Sequence, residues 1–392
     1  MSFGIYVHIP YCVQRCHYCD FATYEQSQIM APNKYLSLLK REIALRAKHL
    51  QDQTSYNQVD TLYFGGGTPS LFPAEMIVSL IDEIEKCGFK IKSDAEVTIE
   101  INPATMDKEK ILKLRKRGVN RFSVGAQTFH PDFLKKLGRK HSVEDIHNTL
   151  RELSAESLNL SVDILFALPG QNLSQLQYDL EQVLRWNPQH ISAYILTLQE
   201  GHFLNQNRPN DERQGEMFEF VSTTLDAAGY QQYEISNYSK PGLESRHNLI
   251  YWTDQQYLGF GSSAHSYLHQ FDWGIRFWNP NSIGEYASQW EDTPGKFSGG
   301  DPTLGGHEIL FEYQALTDLC HVSFRTSRGL LKEKVAIFSS ILKERLSDRI
   351  VKLLRLQLIK TQPLGWTLTA QGKLLSNQVF SELTFLKEDM VP

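Results

Sequence analysis

Long apolar runs are missing from this 392-residue chain. No stretch of about 18 apolar residues occurs, which argues against a spanning helix, and no basic segment precedes the apolar residues near the N-terminus, which argues against a signal peptide. Any contact with a membrane would be peripheral. A broad field of one charge is absent too: 40 basic residues stand against 45 acidic ones, and the net charge is −5. Nucleic acid is therefore not an expected partner. Cysteine is scarce, with five in the whole chain. That excludes a disulfide framework and fits a reducing, cytoplasmic compartment. The length allows one barrel-sized domain and a smaller one.

Three of the five cysteines nevertheless fall within eight residues. In Gly4-Ile5-Tyr6-Val7-His8-Ile9-Pro10-Tyr11-Cys12, the apolar residues Ile5, Val7 and Ile9 alternate with Tyr6 and His8, which predicts a short strand ended by Pro10. Cys12, Cys16 and Cys19 then lie on the loop leaving that strand, and Cys87 and Cys320 are far away. Thiolates at this density point to metal. A structural zinc would need His8, His17 or Asp20 as a fourth ligand, whereas an iron–sulfur cluster can be held by three cysteines with one iron open. Iron–sulfur is the stronger reading, and three inert buried thiols the weakest.

This CX3CX2C loop resembles the signature of the radical S-adenosylmethionine enzymes. The resemblance implies a [4Fe–4S] cluster whose open iron is chelated by the amino and carboxylate groups of S-adenosylmethionine. One electron then cleaves the sulfonium to a deoxyadenosyl radical. In such proteins the aromatic before the third cysteine, here Tyr18, packs on the adenine.

Further along, strands and helices alternate. Strands are predicted over 59–64, 96–102, 119–125, 158–167 and 191–198, and helices over 33–50, 74–86, 107–117, 131–137, 143–157 and 173–186. Six strands at this spacing call for parallel pairing with right-handed crossovers, and a partial (β/α)6 barrel is favoured over a doubly wound sheet. Polar residues just after barrel strands gather at one rim: the three cysteines, Gly65-Gly66-Gly67, Glu100, Gln127 and Asp163. The triple glycine lacks the spacing of a dinucleotide or phosphate loop. Its place beside the cysteine strand lets backbone approach a ligand.

Tyr6, Gly-Gly-Gly-Thr-Pro at 65–69, Glu100-Ile101-Asn102-Pro103, Ser123-Val124-Gly125-Ala126-Gln127, Leu137-Gly138-Arg139 and Asp163 to Gly170 together resemble the motif series of the oxygen-independent coproporphyrinogen III oxidase family. By that resemblance Tyr6, Gly66, Gly67, Thr68, Glu100, Gln127, Arg139, Asp163 and Ala193 would contact S-adenosylmethionine. Two departures are similar to the haem chaperone branch of the family: Phe21 stands where the oxidases have a fourth cysteine, and Cys12 comes almost at once. That branch implies haem as cargo, respiratory haemoproteins as acceptors and an electron donor for the cluster. The rivals are the oxidative decarboxylation itself and a radical reaction on an unrelated substrate.

Arg246-His247-Asn248-Leu249-Ile250-Tyr251-Trp252 matches the HNxxYW pattern of the chaperone branch. His247 could ligate haem iron while Asn248, Tyr251 and Trp252 line the macrocycle, or His247 could be a satisfied structural histidine beside packed aromatics. Gly259 to Ser266 also resembles the family. A Gly-rich linker, Ser298-Gly299-Gly300-Asp301-Pro302, precedes helices and a predicted hairpin at 358–369, a winged-helix-like pattern. The expected units are residues 1–235, the barrel; 236–298, its extension with the HNxxYW motif; and 299–392, the C-terminal domain. Arg345, Arg349, Lys352 and Arg355 alternate with Glu344 and Asp348, as a solvated face does.

The cysteine assignment has a direct test. In anaerobically reconstituted protein, Cys12→Ala, Cys16→Ala or Cys19→Ala should each abolish the thiolate–iron charge-transfer absorbance, while Cys87→Ala and Cys320→Ala should leave it intact. Full iron content in all three loop variants would overturn it.

Overall fold

The computed structural model describes residues 2–50, 57–156, 158–291 and 306–391. Strand β1 (Phe3–Ile9) leads into a two-residue pairing of β2 (Tyr11–Cys12) with β3 (Tyr24–Glu25), then α1 (Pro32–Leu50). There follow β4 (Gln58–Gly66), α2 (Ala74–Lys86), β5 (Lys90–Ile101), α3 (Lys108–Lys116), β6 (Arg121–Gln127), α4 (Pro131–Lys136), α5 (Val143–Ala155), β7 (Asn159–Phe166), α6 (Leu173–Arg185), β8 (His190–Ile195) and α7 (Asp211–Ala227). Strands β1, β4, β5, β6, β7 and β8 pair in parallel in that order. This is the open, partial α/β barrel that the alternation predicts. Its local signals are sound: Ser142 and Asp145 form a capping box on α5, and Asn172 and Gln175 form one on α6.

Beyond α7 lie two short strands, β9 (Gln231–Gln232) and β10 (Asn237–Ser239), paired antiparallel to each other, and β10 runs antiparallel to β8. The chain then crosses to the other end of the sheet. Helix α8 (Arg246–Trp252) precedes β11 (Gln256–Phe260), which pairs parallel to β1; β12 (His265–Leu268), β13 (Ile275–Trp278) and β14 (Gly306–Ile309) add antiparallel beyond it, with α9 (Ile283–Trp290) after β13. The large sheet thus takes its edge strand from beyond residue 298. The Gly-rich linker lies outside the described residues.

The C-terminal part has its own apolar core, with α10 (Glu312–Arg325), α11 (Lys332–Val335) and α12 (Ser340–Arg355) packed on a three-stranded sheet of β15 (Leu330–Leu331), β16 (Ile359–Gln362) and β17 (Gly365–Leu368). It meets the barrel through Glu234, which bridges to Thr326 and faces Arg325 at 3.8 Å, and through the Arg325 guanidinium, 4.5 Å above the Trp252 ring. Among the described residues no helix is long and apolar enough to cross a membrane.

One buried polar knot ties α1 to the sheet extension. The Glu42 carboxylate, fully buried, accepts from Gly261 N (2.8 Å), Asn279 Nδ2 (2.6 Å) and Tyr286 Oη (2.7 Å) and pairs with Arg46 Nε at 3.0 Å. Arg46 also donates to Asn279 Oδ1 at 2.8 Å. Removing one member strands a buried charge. Glu42→Ala should therefore destabilise the fold by about 3–5 kcal/mol in urea unfolding, and a loss under about 1 kcal/mol would show that the knot contributes little.

Candidate functional site

Alternation along the barrel strands decides what faces inward. Ile5, Val7 and Ile9 turn outward beneath the helices, and Tyr6 and His8 turn inward. The same parity sends Tyr63, Thr98, Glu100, Arg121, Ser123, Ser161, Asp163, His190, Ser192 and Tyr194 into the barrel, where they line a cavity of about 360 Å³. Cys12, Cys16 and Cys19 stand at its mouth with Tyr18, Gly66, Gly67, Thr68, Gln127, Arg139 and the exposed Phe21. Asn248 lines it as well.

The cysteine loop is held from three sides. Gly67 N donates to Ile9 O at 2.9 Å, and a Cβ on Gly67 would come within 2.7 Å of Tyr11 O, so only glycine lets strand β4 pass this close. Gly66, at φ +113, lies against the His8 ring. From the other wall Arg139 donates to Asn102 Oδ1 (2.6 Å), Gly125 O (2.7 Å) and Cys16 Sγ (3.4 Å). Thr68 Oγ1 approaches Cys12 Sγ at 3.9 Å and Thr23 Oγ1 approaches Cys19 Sγ at 3.7 Å. Each sulfur thus has a polar side chain beside it. Burial pushes the Cys12 thiol up to about 11, so its thiolate needs a cation beside it. Among the described residues no three His, Cys, Asp or Glu side chains converge tightly enough for a single ion.

Glu100 accepts from Tyr63 Oη at 2.9 Å and Gly66 N at 3.0 Å, and Asp163 accepts from Ser123 Oγ at 3.1 Å. Burial raises both carboxyls. That of Glu100 reaches about 7, the Tyr63 bond opposing and the neighbouring Asp163 adding to the rise. Thr98 Oγ1 and Arg121 Nη2 are buried in the same cavity without a hydrogen-bond partner among the described residues. Two buried acids, Asp163 with Arg121 and Arg139 nearby, and two polar groups without partners suit a polar guest that carries both signs of charge, such as S-adenosylmethionine. Gln127 has a left-handed backbone (φ +67) at a register shift between Gly125 and Gln127, which turns its amide to the mouth.

Not every residue expected at this site lines the cavity. Ala193 has the wrong parity: Ser192 and Tyr194 face inward, and Ala193 is buried on the opposite side with its N–H bonded to Ser236 O. Tyr6 stands behind the cavity wall, its ring 6.1 Å from Tyr63 and its hydroxyl on His8 Nδ1. The HNxxYW helix plugs the barrel floor. Glu96 accepts from the N–H groups of Arg246 and His247, and His247 is 1% exposed, its Nδ1 2.6 Å from Thr61 Oγ1 and its Nε2 2.8 Å from Tyr251 Oη. Burial lowers its pKa to about 3. Trp252 turns away to Arg325. Sequence reasoning did not single out Asn102, which orients Arg139, nor the inward-facing Arg121, Ser123, Ser161, His190, Ser192 and Tyr194. The period of two on each strand carries that signal once the inward face is known.

A parallel partial barrel whose first strand releases three clustered thiols defines the radical S-adenosylmethionine class, and residues 6–183 match the Radical SAM superfamily. The heme chaperone HemW of Bacillus subtilis is 35% identical over 96% of this chain and 97% of its own, and that of Buchnera aphidicola subsp. Schizaphis graminum is 30% identical over 96% of each. The chain belongs to the HemW family. Its fold is that of the Escherichia coli coproporphyrinogen III oxidase HemN, a radical SAM enzyme, with a TM-score of 0.81 at 21% identity over 98% of this chain and 90% of the other.

Because the folded chain holds a proton on Glu100 that the unfolded chain sheds near 4.5, this group's contribution to stability is present below about 4.5 and is lost as pH rises through about 7. Glu100→Gln should accordingly stabilise the ligand-free protein at pH 8 by about 1–3 kcal/mol in urea unfolding, with a smaller gain at pH 5.5. A variant less stable than wild type at pH 8 would contradict this.

Proposed function

We propose that this chain is a haem chaperone of the radical S-adenosylmethionine type. Cys12, Cys16 and Cys19 hold a [4Fe–4S] cluster at the barrel mouth, the cavity behind them takes S-adenosylmethionine, and the protein carries haem to respiratory haemoproteins. The observation that carries the reading is the cavity itself: three thiols at its mouth stand over two carboxyls whose ionisation burial disfavours, in a chain of the HemW family.

When bound, the cluster and S-adenosylmethionine supply a one-electron centre, reduced by an electron donor. The chain's own residues bind and orient. Glu100 and Asp163 accept from cationic or hydroxyl groups of the ligand. Gly66, Gly67 and Thr68 offer close backbone, Tyr18 and Gln127 flank the mouth, and Arg139 ties the Cys16 loop to strands β5 and β6. Tyr6 fixes Tyr63, and through it Glu100. His247, Asn248, Tyr251 and Trp252 enter the haem-binding role by joining the barrel floor to the C-terminal domain. Direct ligation by His247 would require exchange of its bond to Thr61 or Tyr251.

The rival is the oxidase. Phe21, 68% exposed at the mouth, stands where the oxidases carry a further cysteine. Anaerobic, cluster-loaded protein incubated separately with hemin and with coproporphyrinogen plus S-adenosylmethionine and a reductant should bind hemin saturably and release no carbon dioxide. Carbon dioxide over several turnovers would restore the oxidase reading.

A further inference from the structure

The cavity differs in character between its mouth and its floor. Glu100 stands two residues nearer the mouth than Thr98 on β5, and Arg121 lies six residues before Gln127 on β6, about 20 Å of strand at about 3.3 Å per residue. Thr98 and Arg121 are direct partners in the β5–β6 ladder, and both line the cavity. Thr98 is fully buried and Arg121 is 2% exposed, yet among the described residues Thr98 Oγ1 and Arg121 Nη2 have no hydrogen-bond partner. The rest of the guanidinium is tied down: Nη1 donates to Asn159 Oδ1 at 3.3 Å and to Leu243 O at 3.4 Å. Glu96 lies 3.7 Å from Nη1, and its oxygens already accept from Ser245 Oγ, Arg246 N and His247 N. One nitrogen of a charged group is therefore left facing the cavity beside a free hydroxyl.

A short relay adds a third donor. The Tyr233 hydroxyl accepts from Asn248, and its own hydrogen has His190 Nε2 as acceptor at 2.8 Å. The imidazole then carries its hydrogen on Nδ1 and donates to Ser161 Oγ at 2.8 Å, so the Ser161 hydrogen is free to turn into the cavity. Burial and Arg121 keep the His190 ring neutral, as a relay running in one direction requires. Three donors thus meet at the floor, one of them charged. Burial disfavours ionisation of the acids above them, Glu100 and Asp163, so these oppose an anion only weakly.

We propose that the barrel floor is a carboxylate subsite, in which Arg121 Nη2, Thr98 Oγ1 and Ser161 Oγ donate to the two oxygens of a small monocarboxylate. A guanidinium beside hydroxyls suits that group, since each carboxylate oxygen can accept more than one hydrogen bond. The inference rests on the cofactor reading for one point, that S-adenosylmethionine lies above. Held at the cluster through its amino and carboxylate groups, that ligand keeps its only negative group at the mouth and leaves the floor donors unmatched. Helix α8 closes the floor, with Ser245 and Asn248 on the cavity and His247 1% exposed. The carboxylate must therefore enter through the mouth, before S-adenosylmethionine.

The test uses the full-length, cluster-reconstituted protein in chloride-free buffer and isotope-labelled acetate as the probe, followed by the broadening of its NMR signal. Acetate should saturate a single site. Arg121→Gln should lose about tenfold or more in acetate affinity, and Thr98→Val about threefold or more. The Thr98 hydroxyl has no partner to lose, so Thr98→Val should keep the wild-type urea midpoint, and its weaker binding is then not a loss of fold. S-adenosylmethionine added first should slow acetate uptake by about tenfold or more, because it covers the way in. A wild type that does not saturate, wild-type affinity in both variants, or undiminished uptake beneath bound S-adenosylmethionine would each overturn the subsite. Acetate binding that is lost in the variants, in a protein that does not take S-adenosylmethionine, would instead sink the cofactor reading and leave the subsite standing.

Discussion

Strand β1 is paired in parallel on both edges, to β4 from Gly4↔Thr61 to Ile9↔Gly66 and to β11 from Phe3↔Gln256 to Val7↔Phe260. Those two ladders fix the point at which the chain leaves the sheet as the cysteine loop. They also join the glycine strip carried by β4 to the lateral extension of the sheet that β11 opens. A one-residue slip of β1 would turn Tyr6 and His8 into the helix layer and Ile5 and Val7 into the cavity. The apolar set Ile5, Val7 and Ile9, each fully buried, therefore specifies the register that aims the thiols.

The glycine strip turns that register into a binding geometry. Gly67 N reaches Ile9 O, so β4 grips the end of β1 at the residue before Pro10. Gly66 N is then free to point at Glu100, and Tyr63, three residues earlier, donates to the same carboxylate. The acid is thus preorganised by backbone and by a hydroxyl before any guest arrives. Burial resists its charge and these bonds favour it. The resulting balance leaves Glu100 sensitive to whatever cation enters the cavity.

Much of this was legible in the residues. The six parallel strands, the cysteine loop, Glu100, Asp163 and Gln127 were read from periodicity and strand ends, because a parallel barrel repeats a local pattern and puts its strand ends at one rim, and Arg139 came from the family resemblance alone. What stayed hidden was non-local. Nothing near β11 in the chain says that it crosses the whole sheet to pair with β1, and nothing near Ala193 tells which parity of β8 faces inward. The HNxxYW helix is the instructive case: its imidazole and aromatics suit haem taken as a set of side chains, yet Glu96 and Thr61, some 150 to 190 residues earlier, draw His247 into the floor of the barrel. Asn102 was passed over for a similar reason, since its role becomes visible only once Arg139 is seen crossing to it.

The placement of charge links the proposed cofactors to the fold. Arg139, Lys140 and Arg121 are cations that line the cavity, and Arg121 is partly matched by Glu96 at 3.7 Å. Against them stand three thiols and the carboxyls of Glu100 and Asp163, whose ionisation burial disfavours. Alone, the chain can relieve this excess only by keeping protons on its acids. A cationic cluster core on the sulfurs would offset the thiolates, and a ligand bringing an ammonium and a sulfonium with one carboxylate would offset the acids below them. Each guest makes the other easier to hold, because the acids and the thiols share one cavity of about 360 Å³.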